Sequence, residues 1–217
     1  MYSTLILLLL LSAVALQFAL KSTVKKHLKT LGPRPETGAQ VARTLLDRQG
    51  LPHVTVEETS SKLSDHYDPR GKVVRLSADI YHGQGVAAQA IAAHECGHAA
   101  QDAEAMALLR LRGQLALPLS AASWLAPLMV MVGVMVHFTA LYWLGALIFA
   151  ALLAFHLITL PVEFDASRRA LTALHQLRYL DGRNVGGARR VLGMAAMTYV
   201  IAALMAFVQL LQILTRR

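Results

Sequence analysis

Residues 92–102 read Ala92-Ala93-His94-Glu95-Cys96-Gly97-His98-Ala99-Ala100-Gln101-Asp102. The alanines on either side of the polar centre predict a helix. On a helix, positions i and i+4 stand one turn apart and about 40° apart around the axis. His94 and His98 then present both imidazoles to one point, and Glu95 projects beside them. Two imidazoles suit a zinc ion, and the neighbouring carboxylate suits removal of a proton from water held there. A five-residue pattern also arises by chance, and histidines one turn apart can simply be solvated or packed, so the surroundings decide its weight. Gly97 is a weak helix former in the middle of the stretch. Its small size predicts that another element packs close against the helix at that point.

Working outward, the segment before the motif reads as a compact α+β unit. Gly38 to Gln49 has helical spacing, with Val41, Leu45 and Leu46 on one side. His53 to Glu58 and Lys72 to Leu76 read as strands, separated by a turn-rich stretch from Asp65 to Gly71. Gln84 to Leu109 reads as one long helix. Beyond these lie four stretches with the length and apolarity to cross a bilayer: Thr4–Leu20, Leu115–Val136, Leu141–Leu160 and Val191–Leu214. The second and third, joined by a short turn at 137–140, form a hairpin. The first contains Ala13-Val14-Ala15, which resembles a cleavage signal. That triplet lies inside the apolar run and no basic region precedes it, so the stretch reads as a retained anchor.

Composition agrees with a membrane protein: 55% of the 217 residues are apolar and only 16% are charged, against a usual charged share of about 25%. The net charge is +8. Basic residues cluster after the first span, before the second, and between the third and fourth. With the N-terminus outside, every lysine and arginine except Arg216 and Arg217 falls on the cytoplasmic side, as the positive-inside rule requires. That rule accounts for the basic balance, and no basic run interleaved with aromatics points to nucleic acid. The single cysteine, Cys96, excludes an intrachain disulfide. The expected organisation is an N-terminal anchor (1–20), a cytoplasmic domain carrying the motif (21–114), a transmembrane hairpin (115–160), a cytoplasmic helical segment starting near Pro161 (161–190) and a C-terminal span (191–217).

A catalytic zinc takes three protein ligands and keeps an open position. Glu104 lies nearly two turns along the same helix and reads as surface. Glu163 is the leading candidate, because an ionisable residue at the membrane edge is costly unless paired or functional. The bland alternative is an interfacial carboxylate paired with an arginine. His156, on nearly the same helical face, is the runner-up. Asp102, one turn beyond His98, is a candidate to hydrogen-bond a ligand histidine. Asp165 either orients a ligand or pairs with Arg168 or Arg169. Tyr199 is a candidate oxyanion donor, or an ordinary interfacial tyrosine.

The block quoted above, together with Leu160-Pro161-Val162-Glu163-Phe164-Asp165-Ala166-Ser167-Arg168-Arg169-Ala170 and Ala195-Ala196-Met197-Thr198-Tyr199-Val200, resembles the bacterial YugP-type neutral zinc metallopeptidases of the membrane over nearly the whole chain. It is more distantly similar to the HtpX and Ste24 type of membrane gluzincin. The resemblance implies a mainly α membrane protein with a gluzincin-like α+β domain interleaved with about four spans. It implies one zinc held by His94, His98 and Glu163, with Glu95 as base, in the bacterial inner membrane. The implied reaction is hydrolysis of membrane-associated or unfolded polypeptides. Cys96 departs from the aliphatic residue more usual there and reads as a small packed side chain. The segment Lys72–Leu76 is the expected edge for strand addition by substrate.

Two other readings compete. Site-2-type intramembrane proteases pair the same motif with an L-D-G aspartate, and Leu180-Asp181-Gly182 matches. Here, however, the motif lies outside the apolar spans, and Asp181 sits in an arginine-rich turn. A non-catalytic scaffold with structural zinc would need a fourth protein ligand, usually cysteine, and Cys96 between the histidines cannot easily supply it. A transporter is disfavoured because the spans carry few polar residues and no paired broken helices.

Overall fold

The structure, a computed structural model, describes residues 2–60 and 64–215; the expected placement of Arg216 and Arg217 lies outside them. Seven helices and three strands follow in the order α1 (Tyr2–Leu28), α2 (Gly38–Arg48), β1 (Thr55–Thr59), β2 (His66–Asp68), β3 (Val73–Ser77), α3 (Ala78–Tyr81), α4 (Val86–Ala103), α5 (Ala107–Met135), α6 (Thr139–Gln176) and α7 (Val185–Leu214). The chain is mainly helical, and α1, α5, α6 and α7 are each long and apolar enough to cross a membrane. It divides into two compact units, one comprising Met1–Gln17, Ala107–Pro161 and Met197–Arg217, the other Phe18–Met106 and Val162–Ala196.

The first unit has the surface of a membrane bundle. Its helices are apolar all round, and large side chains such as Leu117, Trp124 and Met135 are exposed, which is the pattern of a surface solvated by lipid. Inside, Ala126, Ala146, Phe149 and Ile213 form a small core. Gly133 lets the backbone at Tyr142 come close, since a Cβ there would lie 2.6 Å from its nitrogen. The Tyr142 hydroxyl donates to the carbonyl of Ile213 at 2.6 Å. Pro118 and Pro127 lie inside α5 and Pro161 inside α6. Pro161 suits either the first turn of a helix or a kink within one, and α6 runs through it. Membrane helices tolerate the lost hydrogen bond because neighbouring groups satisfy the freed carbonyl.

The second unit holds the larger core. Thr37 caps α2 through a capping box, its hydroxyl accepting from Gln40 N at 3.2 Å while the Gln40 side chain accepts from Thr37 N at 2.8 Å. The buried face of α2 (Val41, Ala42, Leu45, Leu46) packs into a cluster with Leu76, Ile80, Ala92 and Leu174, and each fully buried leucine contributes roughly 1.5–3 kcal/mol. The sheet order is β1-β3-β2, with β1 parallel and β2 antiparallel to β3. The segment expected to be an open edge is therefore central: β3 is paired on both sides. The outer strands are β1 and β2, and β2 lies in the stretch that reads as turn.

Helix α4 is also shorter than expected, because it ends at Ala103 rather than continuing to Leu109. Ala105 takes a left-handed φ of 58°. The N–H of Ala105 returns to the carbonyl of Asp102 and that of Met106 to the carbonyl of Gln101, the two bonds of a Schellman ending.

Candidate metal centre

The alanines of α4 do more than favour helix. Ala88, Ala92, Ala93 and Ala99 are almost wholly buried, so neighbouring elements approach the helix closely along its length. One such approach is at Gly97. A Cβ added there would lie 2.8 Å from the carbonyl oxygen of Ala166 and 3.1 Å from its Cα. This is the close neighbour that the glycine predicts, and it belongs to α6. Glu163 lies one turn before Ala166 on that helix, so the crossing lays its carboxylate across the two histidines.

Nε2 of His94 is 3.3 Å from one carboxylate oxygen of Glu163, and Nε2 of His98 is 3.7 Å from the other. One donor atom from each residue lies within 4.8 Å of the others, and Glu163 and His98 are buried. Ligands held at about 2.0–2.1 Å on a tetrahedron stand roughly 3.3 Å apart. The two imidazoles and one carboxylate therefore fit zinc in chemistry and in spacing, and three donors leave a fourth position open.

The opposite nitrogens are also held. Nδ1 of His94 lies 3.2 Å from the Ser167 hydroxyl, and Nδ1 of His98 lies 2.9 Å from Oε1 of Gln101. The Gln101 amide donates to the carbonyl of Val162 at 2.9 Å and to Asp165 at 3.0 Å. Neither Gln101 nor Ser167 is marked as functional by the motif. Their signal is positional, for each lies one turn beyond a candidate ligand, His98 or Glu163.

Glu95 is buried beside the cluster, and its Oε2 accepts from the backbone N–H of Tyr67 at 3.0 Å. Burial pushes its carboxyl above the usual range, and the nearby Glu163 and Asp65 carboxylates push the same way. His94 and the Tyr67 N–H oppose them. Tyr67 thus ties β2 to α4, and does so twice, because its hydroxyl donates to Asp102 at 2.8 Å. Asp102 also receives Lys72 Nζ at 2.6 Å. Burial and the Asp102 carboxylate raise the Tyr67 hydroxyl well above its ordinary pKa, so it remains a donor.

Of the alternatives for Asp165, the structure has the pairing with arginine, to both Arg168 and Arg169, and the same carboxylate also meets Gln101. Arg169 makes a two-pronged pair with Glu104 at 2.6 and 2.7 Å, so Glu104 is a surface residue with its own partner. His156, the runner-up ligand, is not in the donor group. The Tyr199 hydroxyl accepts from Arg112 at 3.4 Å, with the guanidinium over its ring. Asp181 accepts from the backbone N–H groups of Arg183 and Asn184 at 2.9 and 3.1 Å. It closes the turn at 182–184 that precedes α7. The buried Cys96 thiol lies 3.6 Å from the carbonyl of Ala42, which suits a packed side chain.

A family described as "Putative neutral zinc metallopeptidase" matches residues 1–217. The chain belongs to the neutral zinc metallopeptidase family. It is 41% identical over 196 residues to a Bacillus subtilis (strain 168) protein named "Putative membrane protease YugP", covering 90% of this chain and 87% of the relative. No solved structure matches it. The family name points to zinc, and His94, His98 and Glu163 form a group that could hold a metal ion.

Proposed function

We propose that this chain is a membrane-embedded, zinc-dependent endopeptidase of gluzincin type. The observation that carries the reading is the convergence of His94, His98 and Glu163 with the buried Glu95 beside them. Zinc, when bound there, supplies Lewis acidity toward the scissile carbonyl and lowers the pKa of a coordinated water to about 7. Glu95 takes the proton from the attacking water and delivers it to the departing amine, a role suited to a carboxyl whose affinity for protons is raised by burial. The Tyr67 N–H holds the Glu95 carboxylate in place.

Substrate pairs in extended form along β2, the outer strand that reaches Glu95, rather than along β3. Backbone pairing of this kind selects unfolded or extended segments. With the N-terminus outside, the basic segments and the site face the cytoplasm of a bacterial cell, at the surface of the inner membrane. Membrane-associated or misfolded proteins are the substrate class that this placement serves.

The test is zinc content and casein-type peptide hydrolysis by the detergent-purified protein, beside Glu95→Gln, Glu163→Ala and Asp181→Ala. Wild type should hold one zinc and cleave. Glu95→Gln should hold zinc without cleaving, Glu163→Ala should lose zinc, and Asp181→Ala should keep both properties. A wild type without zinc, or with hydrolysis insensitive to chelator and to Glu95→Gln, would overturn the reading. Zinc loss in Asp181→Ala but not in Glu163→Ala would restore the site-2 alternative.

A further inference from the structure

Gln101 is completely buried, and its amide faces three polar neighbours of unequal character. On one side are the Val162 carbonyl at 2.9 Å and Asp165 Oδ2 at 3.0 Å. A backbone carbonyl only accepts. The Asp165 carboxylate, paired with Arg168 and Arg169, also only accepts. Two acceptors require the NH2 end of the amide on that side. The oxygen end is then left facing Nδ1 of His98 at 2.9 Å, and an oxygen there needs a proton on Nδ1. The opposite orientation would set the amide oxygen against a carbonyl and a carboxylate. It would leave those two contacts without a hydrogen.

We propose that Gln101 is a positioning residue that locks His98 as the Nδ1–H tautomer, turning the lone pair of Nε2 toward Glu163. Asp165 and Val162 act through it, fixing which way the amide points. His94 is held differently. The Ser167 hydroxyl, which can donate or accept, lies 3.2 Å from its Nδ1. The same amide also spans from α4 to α6, joining the element that carries two donors to the element that carries the third. Loss of an outer partner of this kind typically lowers metal affinity about 10–100-fold.

The inference rests on the zinc reading for its affinity arm, and the tautomer is measured without metal, so the two can fail separately. Zinc affinity is read by competition with a chromophoric chelator, on the full chain in detergent, for wild type, Gln101→Met and Gln101→Glu. The metal-free proteins, labelled with 15N-histidine, give the ring tautomer of His98 directly. His98→Asn identifies its signals. Metal-free wild type should show His98 protonated at Nδ1. Gln101→Met should show mixed tautomers and bind zinc about 10–100-fold more weakly. Gln101→Glu gives up the two donations and sets an oxygen against Val162 and Asp165, but keeps an acceptor toward Nδ1, so it should be less stable than wild type while His98 retains the wild-type tautomer.

Three results would overturn the proposal: His98 protonated at Nε2 in wild type, unaltered zinc affinity in Gln101→Met, or mixed His98 tautomers in Gln101→Glu. The last would leave Gln101 as a tie between helices only. If Gln101→Met fails to fold, the wild-type tautomer and Gln101→Glu decide. If wild type binds no zinc, the metal reading falls while the ring spectrum still decides this one.

Discussion

Replacing Gly97 with alanine tests how tightly the third ligand depends on helix crossing. The new Cβ would sit 2.8 Å from the Ala166 oxygen and 3.1 Å from its Cα, so α4 and α6 must part by about half an ångström to restore ordinary contact. Two effects oppose each other in stability. Alanine is better than glycine in a helix by about 1 kcal/mol, and overpacking costs about 1–3 kcal/mol. The net loss is therefore small, about 0–2 kcal/mol, and the variant folds. Metal binding has no such compensation, because ligand distances tolerate only about 0.2 Å and Glu163 rides on the displaced helix. Zinc affinity should fall at least about tenfold, equivalent to about 1.4 kcal/mol. The assay is chelator competition, with thermal melts of the metal-free protein alongside. Gly193→Ala is the control, since nothing lies within 4 Å of its added Cβ; it should leave zinc affinity unchanged. Gly97→Ala binding zinc as tightly as wild type would refute the argument that this crossing positions Glu163.

Further outcomes follow from other residues. Cys96 is buried, and burial, reinforced by Glu95, pushes its thiol well above the ordinary range. Iodoacetamide at neutral pH should leave it unmodified in the folded protein and label it in denaturant; rapid labelling of the native protein would contradict the packed reading. Ala105 holds a left-handed backbone at 58°. Ala105→Gly should therefore raise unfolding stability by about 1 kcal/mol, and an unchanged or lower midpoint would argue against that conformation. Asp68 accepts from Arg70 N and pairs with Arg75. The Gly71 and Arg70 backbone N–H groups and Arg75 hold its carboxyl below the usual range. A depressed carboxyl stabilises above its unfolded pKa of about 3.9 and loses that contribution as pH falls through the lower folded value. Asp68→Asn should thus be less stable than wild type at neutral pH, with the gap closing below about pH 3.9; a gap constant with pH would exclude the charge as its source.

Much of the molecule was legible because strong local signals coincide with tertiary roles. The four apolar runs, the i, i+4 histidines and the small residue at Gly97 each say in sequence what they do in space. Helix ends were less legible, for a specific reason. The chain closes helices with left-handed residues at Gly50, Ala105, His137 and Arg178. Of these only Gly50 announces itself, since the other three pay a steric penalty that tertiary packing must offset. Strand β2 escaped because three residues are too few for an alternating pattern, and it is defined by pairing with β3 and by the Tyr67–Glu95 bond. Gln101 escaped because an outer hydrogen bond depends on the separate segment that supplies Val162 and Asp165, and no local spacing encodes that meeting. Pro161 left two alternatives open because proline suits both a helix start and the interior of a membrane helix.

The donor set also imposes an order of events in synthesis. His94, Glu95 and His98 leave the ribosome before α5 and the apolar part of α6, and Glu163 follows only after both. On the proposed reading, the nascent chain carries two imidazoles and a base on one helix while its own hairpin is still being inserted. The missing carboxylate arrives when the segment beyond Pro161 docks across Gly97. A chain that stalls or misinserts therefore stays chemically idle, and completed insertion becomes the licence for hydrolysis.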